Sequence, residues 1–378
     1  MKMNASPVIW QRFFVTVLVG FLAACASAPD KPKPTDLGIN PALMAVRNVW
    51  SVNIGAVDFA LSVKTHANQL VLASTDGTVL SLDAKSGATI WRSNIGQPIS
   101  AGVGSDGQLV SVVTRNNELV TLKAGQPVWR VQLPTQVFTA PLLAGGRVFV
   151  LGGDRSVAAF DAQTGQRLWH FQRTGESLVL RQSGVLSAVG NTLIAGLSGH
   201  LLGLNPLNGT VQWDAAIATP RGTNEIERLV DLVEGISRAG KQVCVRAFQS
   251  KIGCVDTNSG RTEWTQTSIG YVGLSGDDQW VYGVESDAQV RAYKRSDGAA
   301  GWQSDRLRYH VLTRPLVIGR SLALGDDAGW VHLMSRSDGS LLTRVATDGS
   351  ALVDAPVQVA NTLIAVTRKG GVFGFQPE

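Results

Sequence analysis

The sequence is poor in the residues that chemistry needs. It holds three cysteines among 378 residues, Cys25, Cys244 and Cys254, and no two are adjacent. Its five histidines, His66, His170, His200, His310 and His332, are scattered, and none pairs at metal-ligand spacing. They read as surface or satisfied core residues, and no metal site is expected. Charged residues make up only 17%. No basic run and no weave of basic with aromatic residues is present, which speaks against a nucleic-acid surface. There is no Gly-x-Ser-x-Gly elbow. The glycine pairs 152–153 and 370–371 fall in turns rather than between a strand and a helix, so no phosphate loop is indicated. The apolar run at 13–24, FFVTVLVGFLAA, falls short of the ~20 residues that a helix needs to cross a bilayer.

That run has the length of a signal-peptide core, with Lys2 and Arg12 as its positive flank. It ends in Leu22-Ala23-Ala24-Cys25, which resembles the bacterial lipobox. The resemblance implies cleavage after residue 24 and a diacylglycerol on the Cys25 thiol; a soluble secreted protein is the alternative. Ala26, where an Asp would retain the protein, implies export to the outer membrane. A thioether diacyl group plus an N-acyl chain gives the two or more signals that stable anchoring takes. Residues 26–41, ASAPDKPKPTDLGINP, are rich in proline and polar residues and have no apolar periodicity. The expected organisation is a signal peptide over 1–24, a lipidated flexible tether over 25–45, and one domain over 46–378. Setting aside 1–24 removes Lys2 and Arg12 and no acid, so 32 basic side chains face 29 acidic ones, a mild +3.

What is abundant is glycine, 41 residues, and tryptophan at near-regular intervals. Trp50, Trp91, Trp129, Trp169, Trp213, Trp264 and Trp302 are spaced by 41, 38, 40, 44, 51 and 38 residues, and Thr343 marks an eighth rung 41 further on. A period near 40 signals a repeat architecture. Within one period, 69–74 (QLVLAS) alternates, Asp76-Gly77 marks a hairpin, 78–82 (TVLSL) alternates again, and a third run opens at Ile90-Trp91. A short run at 99–103 opens the next period. Four short strands per period and no helix predict an all-β, eight-bladed β-propeller of four-stranded antiparallel blades.

The segment DAKSGATIW at 83–91 returns as DAQTGQRLW at 161–169 and DTNSGRTEW at 256–264. Its Asp is suited to bond turn N–H groups, its Gly to adopt positive φ, and its Trp to wedge against the neighbouring blade. Seven full periods end at Trp91 through Thr343. The C-terminus supplies three strands, and 48–54 (NVWSVNI) supplies an orphan outer strand with Trp50, which is expected to complete the eighth blade and close the ring. Only Trp213 is followed by Asp and no Gly-His opens a repeat, which argues against a WD40 propeller.

The Asp-x-x-x-Gly-x-x-x-Trp repeat resembles that of pyrroloquinoline quinone propellers. With the lipobox, the length and the single domain, the chain resembles more closely the BamB family of outer-membrane lipoproteins. The resemblance covers essentially the whole mature chain. It implies a non-enzymatic scaffold of the β-barrel assembly machinery, without a cofactor. Such a scaffold binds the POTRA domains of BamA, and through it the rest of the complex, as a monomer. It assists folding and insertion of unfolded outer-membrane proteins from the periplasmic face. The alternative is a periplasmic quinone-binding enzyme. That would call for a calcium site of Glu, Asn and Asp and usually for adjacent cysteines, and no Cys-Cys pair exists here.

Two neighbouring intervals are long. The 44-residue interval holds RTGESLVLRQSG at 173–184, and the 51-residue one holds ATPRGTNEIERLVDLVEGI at 218–236. Both follow an outer strand and precede an inner one, so both emerge on one face. They read as a raised partner patch or as ordinary inter-blade packing. By resemblance, Leu178, Leu180, Arg181 and Asp231 match family residues that contact BamA, with Val179, Glu227 and Arg228 as secondary candidates. Val233 stands where the family has a second Asp. Cys244 and Cys254 sit on two strands of one hairpin. A two-residue turn would pair Cys244 with Val255, whereas a three-residue turn or a bulge would bring the cysteines together, so a disulfide and two buried thiols both remain open.

Overall fold

A computed structural model describes residues 32–174, 178–221, 223–225 and 227–378; Cys25 and the expected signal peptide lie outside these. The described residues form 32 strands in eight four-stranded antiparallel sheets. Seven sheets take their strands in sequence order. The eighth takes three from the C-terminus and its outer strand, Val46–Asn53, from the N-terminus, with Trp50 opposite Gly374. The ring is closed by that pairing, as the orphan strand implied. We number the blades one to eight from residue 64 onward.

Burial follows from the stacking. Middle strands such as Leu109–Thr114 are buried at every position because a blade covers each face. Outer strands such as Thr89–Asn94 alternate between exposed and half-buried. The core is therefore a ring of inter-blade layers. Phe149, Leu151 and Ala159 of blade three, for example, pack on Leu193, Ala195 and Leu202 of blade four.

The recurring turn and the tryptophans are two halves of one joint. Asp83 Oδ1 accepts from Lys85 N (3.2 Å) and Ser86 N (2.8 Å), and Gly87 follows at φ +73°. The absence of a Cβ there leaves room for a ring: a methyl on Gly87 would lie 2.6 Å from Trp50 Cε3, an atom of the preceding blade. Trp50 Nε1 donates to Ala84 O in the same turn (3.1 Å). The pattern repeats with Trp129 on Gly165 and Ala162 O, Trp169 on Gly209 and Pro206 O, Trp264 on Gly298 and Arg295 O, and Trp302 on Gly339 and Arg336 O. Trp91 and Trp213 lie on Gly125 and Gly260 in the same way. This explains the rung at Thr343. The blade it faces is the eighth, whose third and outer strands are chain ends with no turn between them, so a tryptophan would have nothing to dock on.

The hairpin turns correct one expectation. In blade one Ser74 N donates to Thr78 O (2.9 Å), so the loop has three residues, with Gly77 at φ +95°. The same register in blade five sets Cys244 opposite Cys254, and they form a disulfide with Cα atoms 3.9 Å apart. The reading through a two-residue turn, which paired Cys244 with Val255, fails because the turn has one residue more.

Part of the segment read as a flexible tether is fastened to the propeller. Leu43 N donates to Leu342 O (2.8 Å), Asn40 Nδ2 to Arg344 O (3.1 Å), and Arg344 N to Asn40 Oδ1 (3.0 Å). Asn40 thus imitates a strand residue and covers the free edge of Leu341–Ala346, the outer strand of blade seven. The Arg344 guanidinium donates to Leu37 O and Gly38 O, and Thr35 N to Arg308 O (2.9 Å). Low apolar periodicity concealed this, because the strap is held by backbone and amide groups.

Candidate partner-binding site

The two long loops emerge on one face, beside the axial cavity. Leu178, Val179 and Leu180 are half-buried, and Arg181 is exposed with its guanidinium 5.6 Å over the Phe138 ring. What orders them comes largely from elsewhere in the chain. Arg155, 7% exposed in the central hairpin of blade three, donates from Nη2 to Leu178 O (2.8 Å). Leu180 N donates to Asp231 Oδ2 (3.0 Å), and Asp231 Oδ1 faces Arg155 at 3.9 Å. One inward-facing carboxylate and one buried guanidinium therefore latch the two loops together.

The base of the first loop is fixed as firmly. Gly184 N donates to Thr139 Oγ1 (2.9 Å), Ser183 Oγ to Phe138 O (3.1 Å), and Glu234 N to Ser183 O (2.8 Å). Gln182 Nε2 reaches Tyr271 O (2.8 Å) on the connection between blades five and six. A loop held at this many points loses little further freedom on binding, which favours affinity.

Not every matched position reaches the surface patch. Val233 is 1% exposed and paired in the inner strand of blade five, opposite Arg246. The place where the family has its second Asp is a core position here. Glu227 and Arg228 are exposed. Glu227 Oε2 accepts from Thr223 N (2.9 Å), and that bond chiefly holds its carboxyl below the usual glutamate range. Asp231 lies at the loop base, where it holds its neighbours.

Sequence reading missed Arg155, Phe138, Thr139 and Tyr271. Arg155 adopts φ +62° at a hairpin place that Gly77, Asn117, Ala288 and Gly370 take in other blades. A side chain at positive φ costs roughly 1–2 kcal/mol. That oddity was the available signal, and Asn117 and Ala288 at the same place dilute it.

The axial cavity has a volume of about 920 Å³. Its wall alternates in sign: Arg115 pairs with Asp58 at 2.6 Å, and Arg314 with Asp354 at 3.0 Å. Burial opposes the Arg314 charge, but Asp354 and Glu234 outweigh it and raise its pKa. Burial also drives the Lys64 ammonium below the usual lysine range, against the pull of Glu234. Among the described residues no group of three or more His, Cys, Asp or Glu side chains is placed to hold a metal ion.

The family model described as outer membrane protein assembly factor BamB matches residues 75–304. The chain belongs to the BamB family. A relative from Burkholderia pseudomallei (strain K96243), with that same description, is 35% identical over all of this chain and 99% of its own length. The crystal structure of BamB from Moraxella catarrhalis superposes with a TM-score of 0.79 at 25% identity, covering 88% of this chain and 99% of that one. Quinohemoprotein alcohol dehydrogenase from Comamonas testosteroni, at 13% identity and a TM-score of 0.70 over 90% of this chain and 78% of its own, shares the fold alone. The family places the protein with outer-membrane assembly factors and not with the propeller enzymes.

Proposed function

We propose that this protein is a lipid-anchored scaffold that binds the POTRA domains of BamA through Leu178, Leu180 and Arg181, and so assists folding and insertion of outer-membrane β-barrels. The supporting observation is the latch: Asp231 and Arg155 join the two longest inter-blade connections into one raised, pre-ordered patch. An apolar pair beside an arginine is the composition of an interface centre. The chain would be anchored at Cys25 after loss of residues 1–24, on the periplasmic side of the outer membrane, and would act as a single copy within the larger complex. Its mechanism is positional: a rigid ring holds the POTRA arm in one orientation. Unfolded β-chains would meet it while bound there.

Isolation of the tagged protein from detergent-solubilised outer membranes tests this. BamA co-purifies with the wild type and is lost with Leu180→Ala/Arg181→Ala. Failure of the wild type to retain BamA sinks the reading, and equal retention by the double variant sinks the site.

A further inference from the structure

A second element lies on the same face and has no role in the latch. The connection between blades five and six carries Ile269, 52% exposed, and the next one carries Val311, 54% exposed. The backbone that carries Ile269 is held firmly. Ile269 N donates to Glu285 Oε2 (2.7 Å), and Ser286 Oγ donates to Ile269 O. Glu285 is buried and also accepts from Ser268 Oγ (2.9 Å) and Tyr293 OH (3.1 Å). Arg246, fully buried, faces it at 3.4 Å and donates to Val272 O (3.0 Å).

A buried ion pair is seldom a net gain in stability, because desolvation offsets the attraction. The desolvation is visible: burial lowers the Arg246 pKa, and burial together with Glu285 pushes the Tyr293 hydroxyl up to about 12. What the network does achieve is geometric. It grips residues 268–272 at both ends, through Ile269 N and Val272 O, and leaves the Ile269 side chain outside.

We propose that residues 268–272 and Val311 form the second half of the footprint for the partner that Leu178–Arg181 engages, receiving an apolar surface of that protein across the mouth of the axial cavity. The proposal rests on the BamA reading above. Size supports it. A stable interface buries roughly 800 Å² on each side from some 20–30 residues, more than three half-buried side chains and one arginine supply. Continuity supports it as well. Gln182 Nε2 bonds to Tyr271 O at 2.8 Å, and Arg181, Gln182, Tyr271 and Val311 line one cavity. The ion pairs in the wall balance in sign, so exposed apolar anchors rather than net charge would decide docking there.

The test uses the full lipidated chain in detergent, titrated with the soluble POTRA array of BamA. Ile269→Ser/Val311→Ser weakens binding at least tenfold with an unchanged melting temperature, because both side chains are exposed. Val211→Ser, at a valine 46% exposed on the outer strand of blade four, binds within twofold of wild type. A photo-crosslinker placed at position 269 captures the same POTRA array. If Leu180→Ala/Arg181→Ala loses binding while Ile269→Ser/Val311→Ser stays within twofold, the extended footprint is wrong and the BamA reading stands. An equal loss with Val211→Ser also overturns it. If the wild type does not bind the array, both readings fall.

Discussion

The Asp231 carboxylate directs one oxygen to Leu180 N at 3.0 Å and the other toward Arg155 at 3.9 Å. Both contacts lie within the protein, so on the proposed reading its effect on BamA would pass through the Leu178–Arg181 loop. A contact residue and a positioning residue differ in a double-mutant cycle. Asp231→Ala and Leu180→Ala should each weaken BamA binding by roughly 1–3 kcal/mol, and the pair together should cost little more than the worse single change. Independent contacts would add. Hydrogen exchange gives a second reading: the Leu180 amide, protected by Asp231, should exchange much faster in Asp231→Ala, while amides in the Leu109–Thr114 strand stay unchanged. Arg155→Ala should resemble Asp231→Ala in binding and also lower stability, because it leaves the half-buried Leu178 carbonyl without its donor and removes the cation that faces Asp231. Sequence alone exposed the ends of this arrangement, Leu180 and Asp231, through loop length and family resemblance. It did not expose Arg155, which reaches the loop from another hairpin, because nothing local ties an arginine in a turn to a carbonyl 23 residues away.

At the scale of elements, the periodic parts were legible and the irregular parts were not. Strand alternation and the near-40-residue spacing of the tryptophan rungs recur along the chain, so eight blades and the clasp could be counted. The docking of each tryptophan on the next turn could not be read, since it joins residues a full period apart. That joint makes a paired prediction. Gly165 sits at φ +73° with the Trp129 ring 2.7 Å from where a Cβ would stand, whereas Gly145, at φ +57°, has open space around it. Gly145→Ala should cost about 1–2 kcal/mol from the backbone alone. Gly165→Ala should cost clearly more, because the ring must also move; urea unfolding of the two variants distinguishes them. The turn carboxylates make another. Hydrogen bonds hold Asp83 low, chiefly from Ser86, Asp161 chiefly from Thr164, and Asp256 chiefly from Ser259. A folded-state pKa below the unfolded value of ~3.9 adds stability above that pH, and the gain is lost as pH falls through the folded value. Asparagine at all three should keep the turns, as Asn205 does by accepting from Leu207 N at 2.8 Å. Melting temperature should then lie somewhat below wild type near neutral pH, where the ionised carboxylates contribute, and converge on it below about pH 4, so that it falls less steeply in acid. An unchanged acid limb would show that these turns do not govern acid unfolding.

Across the whole molecule, closure leaves one edge that the repeat cannot protect. Thr343 replaces the tryptophan because the eighth blade has no turn to receive it, so the joint between blades seven and eight lacks the ring that seals the others. The strap from Thr35 to Met44 lies along the outer strand of blade seven, beside this weak joint: Leu43 N and Asn40 Nδ2 bond to the backbone of Leu342 and Arg344, and Met44 packs with Leu316, Ile318 and Val345 on the core between blades seven and eight. Part of the segment that composition marked as a tether therefore braces the outer strand of blade seven. Its sequence hid this because an amide side chain and backbone groups, rather than an apolar stripe, make the contact. A chain lacking residues 35–44 but keeping the Val46–Asn53 clasp should still fold. It should melt several degrees lower, a shift expected from about 1–2 kcal/mol in a chain of this size, and its uncovered edge should promote self-association at high concentration. Asn40→Ala should give part of the same loss, and Thr343→Trp should not restore it, since the ring would meet the strap instead of a turn. Calorimetry and light scattering on the three variants measure both effects. If the deletion melts with wild type and stays monomeric, the strap is a passenger and the seventh joint is sealed by its core alone.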